Sequence, residues 1–474
     1  MSMNDKELSQ AFWRSWMSDE GVNSFASLRT WIAERNANTP VGVQRISLER
    51  CAPWHYNAET GRIENEQQSF FQIAGLRMYS KEITTGELTP IREQPIIIQD
   101  EIGFLGIVCK EFDGVMHFLM QAKIEPGNVN KVQISPTTQA TRSNFMRLHG
   151  GKSPRYLRYF TNPENHTVVV DQIQSEQSSR FLGKRNRNMV VVASDDVPVL
   201  PTHRWMTLGQ IMHMMEFDNL VNMDARTVLS CLPWSFWREY PEDMERRLTP
   251  WGKLIANSYM APLDVSKLNA AYRLLNDYKT FDTTVTKVVP LSELTDWIML
   301  PYEIRHRRSY PFKVIYCDVN IEGREVQHWT QPLMEAKGQA LFALLACRDG
   351  DAAKFLVRIN PEIGCFDKVE FAPTVQREAG YLGEDDAVQR ATLGLVDEGK
   401  GVMADVLLSE EGGRFYCEQN RNVILLVDEL PQELRSESLP SGYIWLDLAT
   451  LNLLMRAGNV LNIQLRNLLS LLRI

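Results

Sequence analysis

Three polar stretches of this sequence carry residue types able to do chemistry on a hydroxylated, anionic ligand. The run Ser175-Glu-Gln-Ser-Ser-Arg-Phe-Leu-Gly-Lys-Arg-Asn-Arg-Asn188 sets Arg180, Lys184, Arg185 and Arg187 within eight residues. Arginine offers a planar fork and lysine a point charge, donors that together can hold a pyrophosphate; the same charges also fit a solvated basic hairpin. In Val132-Gln-Ile-Ser-Pro-Thr137, apolar Val132 and Ile134 alternate with Gln133 and Ser135, so an extended segment turns the polar pair to one face. The face continues through Thr137, Gln139 and Arg142. Uncharged donors and acceptors leading to an arginine suit sugar hydroxyls or the edge of a base, and equally a solvent-facing edge and turn. The third stretch, His149-Gly-Gly-Lys-Ser-Pro-Arg-Tyr156, adds His and Tyr, both standard proton donors, on what also reads as a decorated loop.

These stretches sit in a chain that repeats itself. Lys131-Val-Gln-Ile-Ser-Pro-Thr-Thr-Gln139 returns as Lys368-Val-Glu-Phe-Ala-Pro-Thr-Val-Gln376, and Gln94-Pro95 as Gln331-Pro332, both 237 positions later. Ser175-Glu176, Arg180-Phe181 and Asn186-Arg-Asn188 return as Ser409-Glu410, Arg414-Phe415 and Asn420-Arg-Asn422. Trp205, Asn222 and Arg226 return as Trp445, Asn462 and Arg466. Motifs in one order with a small drift in offset mean a duplicated domain rather than a short-period solenoid. The division is a first repeat over 1–235, a connector over 236–262 with prolines and tryptophans, and a second repeat over 263–474. The copies differ in charge: Lys184 and Arg185 become Glu418 and Gln419, Ser135 becomes Ala372, and Asp224 becomes Gln464.

The elements that must position these residues can be read from periodicity. Strand-like runs rich in β-branched and aromatic residues cover 43–48, 70–79, 95–99, 104–111, 115–123, 168–174 and 188–193. Helices open and close the first repeat: Phe25, Leu28, Trp31 and Ile32 fall at helical spacing, and Thr207-Leu-Gly-Gln210 is a capping box ahead of an apolar face. Asp447 takes the same N-cap place in the second repeat, and Asp224 and Gln464 begin the last helix of each. Many strands followed by a few helices predict an α+β fold, helices packed on a mixed, largely antiparallel sheet.

Composition narrows the function. A net charge of -8 disfavours a general nucleic-acid binder, and no apolar run approaches the length of a membrane span. The opening Met1-Ser-Met-Asn-Asp-Lys-Glu lacks a basic segment followed by an apolar one, so a cytoplasmic location is expected. Seven scattered cysteines and eight histidines show no metal-ligand spacing, and neither a dinucleotide fingerprint nor a P-loop is present. No metal and no cofactor are expected.

Phe112-Asp-Gly, Gln121-Ala-Lys-Ile-Glu-Pro-Gly-Asn128, Gln133-Ile-Ser-Pro-Thr137, Gln139-Ala-Thr-Arg-Ser-Asn144, Ser175-Glu-Gln177, Lys184-Arg-Asn-Arg-Asn-Met189 and Asn222-Met-Asp-Ala-Arg-Thr-Val-Leu-Ser-Cys-Leu-Pro233 together resemble the NDP-hexose 2,3-dehydratases of deoxysugar biosynthesis. The likeness runs over nearly the whole chain. It implies two Nudix-like domains per subunit, a homodimer, and two nucleotide-sugar pockets of which one is vestigial. It also implies a TDP-4-keto-6-deoxyhexose as substrate, and an unstable 3,4-diketo product that a separate NADPH-dependent 3-ketoreductase reduces. The Nudix hydrolase box is absent from both repeats, which argues against pyrophosphate cleavage.

The implied chemistry needs no cofactor. A C4 ketone acidifies the C3 proton and the C2 hydroxyl lies β to it, so a base, a donor to the enolate oxygen and an acid suffice. On the resemblance, Glu176 is the candidate base and Tyr156, His149 and Lys184 are candidate donors or acid. Gln133, Ser135, Thr137, Gln139 and Arg142 would line the sugar and nucleotide, and Arg180, Arg185 and Arg187 the pyrophosphate. Glu410 repeats Glu176, so a purely structural glutamate is the competing assignment. A noncatalytic nucleotide-sugar binding protein is the competing function.

Overall fold

The computed structural model describes residues 4–66, 70–141, 155–233, 245–322, 326–380 and 383–473. Each half builds a seven-stranded sheet of the same topology. In the first, Arg185–Val192 runs between Thr167–Ser175 and Gly103–Phe112, followed by Val115–Ile124 and His203–Thr207. Two short strands fill the corners: Val132–Ser135 on Val115–Ile124, and Thr138–Ala140 on Gly103–Phe112. The second half repeats this with Val402–Ser409, Gln419–Val427, Leu341–Asp349, Ala352–Pro361 and Tyr443–Leu446, and with Val369–Pro373 and Val375–Arg377 in the corners. Within each sheet one pair is parallel, Arg185–Val192 with Gly103–Phe112 and Gln419–Val427 with Leu341–Asp349; the others are antiparallel. The mixed α+β class expected from the sequence is therefore present.

Helices cover the sheets. Asp5–Trp16, N-capped by Asn4 in a capping box, packs on Val115–Ile124, burying Phe12 and Trp13. Pro250–Met260 packs on Ala352–Pro361 in the same way. The stretch read from sequence as a connector thus contains a helix that serves the second half as Asp5–Trp16 serves the first. Thr207 and Asp447 cap Leu208–Met214 and Leu448–Arg456 as expected. The last helices, Met223–Ser230 and Ile463–Leu469, start one residue before Asp224 and Gln464, because the side chains of Asn222 and Asn462 accept from the Ala225 and Leu465 amides and take the cap position. These two helices pack on each other, and the largest apolar cluster runs through both halves, from Leu105 and Val228 to Leu465 and Leu468.

The halves also trade strands. Each carries a smaller five-stranded sheet, one holding Trp54–Asn57, Arg62–Asn65, Gln72–Lys81 and Leu88–Ile98, the other Trp297–Met299, Glu303–His306, Phe312–Ile321 and His328–Ala336. The fifth strand of each comes from the opposite half. Val41–Arg45 pairs with Phe312–Ile321, and Thr284–Val289 pairs with Gln72–Lys81, both antiparallel. The repeated Gln-Pro motifs lie on these small sheets, where Gln94 Nε2 donates to Ser179 O (2.8 Å) and Gln331 Nε2 to Gly413 O (2.7 Å). Each thereby fixes the turn that leads from the conserved-in-both-halves Ser-Glu to Asn-Arg-Asn, the Glu176 turn in one half and the Glu410 turn in the other.

Candidate active site

Glu176 follows directly on Thr167–Ser175, and Lys184 directly precedes Arg185–Val192, its antiparallel partner. The Glu176 amide donates to Lys184 O (2.9 Å), so the turn between the strands brings the two side chains together. Glu176 is 4% exposed. Its Oε1 accepts from Asn186 Nδ2 at 2.5 Å, while Oε2 has no hydrogen-bond partner among the described residues. Burial pushes the Glu176 carboxyl up to about 7, Glu411 adds to the rise, and Arg466, Lys184 and Asn186 oppose it. Lys184 is buried too, its ammonium donating to Glu101 O; burial lowers its pKa, and Glu176 and Glu101 counter the drop.

The opposite half completes this pocket. Its turn supplies Glu411 and Arg414, whose charges act on Lys184. Arg414 lies over the Phe71 ring at 4.2 Å and donates from Nη2 to Gln99 Oε1 at 3.2 Å. Below it are Lys123 and Glu125, ion-paired at 2.7 Å, with Gln139 Nε2 3.5 Å from Glu125 Oε1. Gln133, opposite Lys123 in the ladder, donates to Ser409 Oγ at 2.8 Å, just ahead of Glu410 and Glu411. Asp224, second residue of the Met223–Ser230 helix, is buried where the charges of Glu411, Glu176, Glu125 and Lys123 act on it.

Two glycines permit the interlock. Gly127 N donates to Gly412 O and Cys417 N to Gly127 O, while Gly183 N donates to Gly364 O and Gly364 N to Ser178 O. A Cβ on Gly127 or on Gly364 would overlap the carbonyl of Phe415 or Phe181 of the other half. Beneath the turns, two fully buried arginines cross between halves: Arg226 donates to Ser409 O (2.7 Å), and Arg466 to Ser175 O and Thr227 Oγ1.

The second pocket has the same plan and different charge. Glu410 accepts from Asn420 Nδ2 at 2.7 Å as Glu176 does from Asn186. Glu418 stands where Lys184 stands, its carboxyl pushed up to about 8 by burial, with Arg180 opposing and Glu410 adding to the rise. Gln464 replaces Asp224.

The sequence-derived candidates therefore divide. Glu176, Lys184, Gln133 and Gln139 belong to one pocket. Arg180 does not join them: the interlocked turn carries it across to the second pocket, where it is 2% exposed, pairs with Glu378 at 3.0 Å and lies over Phe312. Arg185 and Arg187 alternate with Asn186 and so face the other side of the strand, Arg185 stacked on Phe366 and Arg187 paired with Asp171 at 2.6 Å. Ser135 and Thr137 are spent on backbone, Ser135 on Gln121 O and Thr137 on Val108 N and Leu119 O. The Tyr156 hydroxyl donates to Pro198 O (2.8 Å) and accepts from Leu200 N, among Phe160 and Val191 on the sheet face opposite Val190. His149 and Arg142 lie outside the described residues. Asp224, Lys123, Glu125, Glu411 and Arg414 were not among the candidates. The signal for Asp224 was its change to Gln464 in the second copy; nothing local announced Glu411 or Arg414, which come from the other repeat.

A buried carboxyl that titrates near neutrality beside a buried ammonium defines an acid–base site, suited to removing a proton from carbon. The chain matches the NDP-hexose 2,3-dehydratase family over residues 25–232 and 269–472. It is 39% identical over 453 residues to a dTDP-4-dehydro-6-deoxy-alpha-D-glucopyranose 2,3-dehydratase of Saccharopolyspora spinosa, covering 95% of this chain and 91% of that one. Proteins of the same description from Amycolatopsis orientalis and Streptomyces violaceoruber are 37% and 35% identical, over 94% and 95% of this chain and 89% and 98% of theirs. The chain belongs to the NDP-hexose 2,3-dehydratase family.

Proposed function

We propose that the protein is a carbon–oxygen lyase that removes water across C2 and C3 of a TDP-4-keto-6-deoxyhexose, giving the 3,4-diketo-2,6-dideoxy sugar nucleotide. The observation that carries this reading is Glu176, buried and, among the described residues, hydrogen-bonded on one oxygen only, next to Lys184. Glu176 takes the C3 proton, and Lys184 donates to the enolate oxygen at C4. Gln133 and Gln139 contact sugar or nucleotide, and Arg414, rather than Arg180, faces the diphosphate. The relatives' names support the substrate.

Each half is a Nudix-like domain in this reading, the repeats spanning 1–235 and 263–474, with the first pocket active and the second, where Glu418 replaces Lys184, vestigial. The enzyme works as a homodimer in the cytoplasm and hands its product to an NADPH-dependent 3-ketoreductase. Among the described residues no helix is long and apolar enough to cross a membrane.

The test is mass spectrometry of TDP-4-keto-6-deoxyglucose incubated with the protein and an NADPH-dependent 3-ketoreductase as trap. A trapped product that has lost one water and gained two hydrogens is expected, and only with this protein present. Unchanged substrate despite binding would instead favour a noncatalytic nucleotide-sugar binding protein.

A further inference from the structure

Glu176 cannot be what separates the two pockets, because Glu410 and Asn420 repeat its carboxyl and its hydrogen bond. The pockets differ in what faces that carboxyl. In the first, Asp224 is 2% exposed at the start of the Met223–Ser230 helix, and its Oδ2 has no hydrogen-bond partner among the described residues. Glu176 Oε2 is likewise without one. Two buried carboxyls in one pocket thus each keep an oxygen that no described residue satisfies, open to a ligand. In the second pocket the matching residue is Gln464, whose amide has no acidic proton to give to a leaving hydroxide.

We propose that Asp224 is the general acid of the reaction, delivering its proton to the departing C2 hydroxyl, and that its replacement by Gln464 silences the second pocket. The assignment rests on Glu176 being the base. Burial, together with Glu411, Glu176 and Glu125, raises the Asp224 carboxyl well above its ordinary value, Lys123 opposing, which favours the protonated form a general acid needs. One pocket that holds two carboxyls in different surroundings can divide the roles of acid and base between them.

The protons balance. Glu176 takes the C3 proton and the C3–H electrons form the C3=C4 enolate. The enolate collapses to the C4 ketone, C2=C3 forms and C2–O breaks, the leaving oxygen taking the Asp224 proton to depart as water. The resulting enol loses its O3 proton to Asp224 while C2 takes the proton held by Glu176, which yields the 3,4-diketone and restores both carboxyls.

The test compares dehydration of TDP-4-keto-6-deoxyglucose and its C3-deuterated form by the intact enzyme and the Asp224→Asn, Asp224→Gln and Asp224→Glu variants. Asp224→Gln copies the residue the second half already folds around, so a folded protein is secured if Asn is not tolerated. Loss of the acid should slow dehydration about 10²- to 10⁴-fold and bring the isotope effect toward one, because C2–O cleavage becomes the slow step; Asp224→Glu should recover part of the rate. A wild-type rate in Asp224→Asn or Asp224→Gln, or a slowed rate with a full isotope effect, overturns the proposal, the latter placing Asp224 behind proton abstraction instead. Glu176→Gln is run alongside: if it retains activity the base assignment fails, a result separate from any seen at Asp224.

Discussion

A carboxyl that titrates near neutrality has two consequences measurable at single residues. Proton abstraction needs the ionised form, so kcat/KM should rise with pH through about 7, the value to which burial and Glu411 push Glu176 against Arg466, Lys184 and Asn186. Glu176→Gln should lower kcat about 10²- to 10⁴-fold and abolish that limb; an unchanged pH profile would exclude Glu176 as the base. The linkage to stability runs in the direction opposite to that of a salt-bridged acid. The folded-state pKa lies above the unfolded value, so the native protein binds the extra proton, and stability falls as pH rises from about 4.5 to about 7. Glu176→Gln should flatten that part of a plot of unfolding free energy against pH. At Lys184, Met should lower kcat about 10²-fold with a smaller change in KM, as expected for a donor to an oxyanion, whereas an equal loss in binding of TDP alone would make it a diphosphate ligand.

At the scale of elements, the two turns that carry Glu176 and Glu410 are held by backbone interlocks that only glycine allows. Gly127→Ala drives a methyl into the Phe415 carbonyl, and the turn must move to accept it. A loss of about 3 kcal/mol in chemical denaturation is expected, together with reduced kcat, since Glu411 and Arg414 ride on the displaced turn. Gly394→Ala is the matched opposite. Gly394 lies inside the Ala387–Asp397 helix with open space where its Cβ would be, so alanine should raise stability by about 0.5–1 kcal/mol. A destabilised Gly394→Ala would show that the helix is not formed as described. Much at this scale was legible beforehand: the strand runs, the Thr207 capping box and the Asp447 cap all followed from local chemistry. The last helices begin one residue earlier than Asp224 and Gln464, because Asn222 and Asn462 take the cap, as their hydrogen bonds from the Ala225 and Leu465 amides decide.

For the whole molecule, the traded strands and the shared core tie the fate of each half to the other. Residues 1–235 expressed alone would leave Gln72–Lys81 without Thr284–Val289, expose an unpaired edge and strip Met223–Ser230 of its partner helix. Neither half should fold by itself, while coexpressed halves should copurify and dehydrate the substrate; a half that unfolds cooperatively alone would refute this. The sequence by itself determined the duplication, the mixed α+β class, the family resemblance and the placing of Glu176 and Lys184 at the two ends of one turn between strands, because these are written in local periodicity, in repeated motifs and in residue types on neighbouring strands. Only the tertiary structure decided which charges share a pocket. Arg180 and Arg414 occupy equivalent turns, yet each reaches into the site of the other half, and Asp224 meets Glu176 through helix packing rather than chain neighbourhood. Sequence distance carries no record of such contacts, since the turn geometry and the exchanged strands that create them arise when the two halves fold against each other.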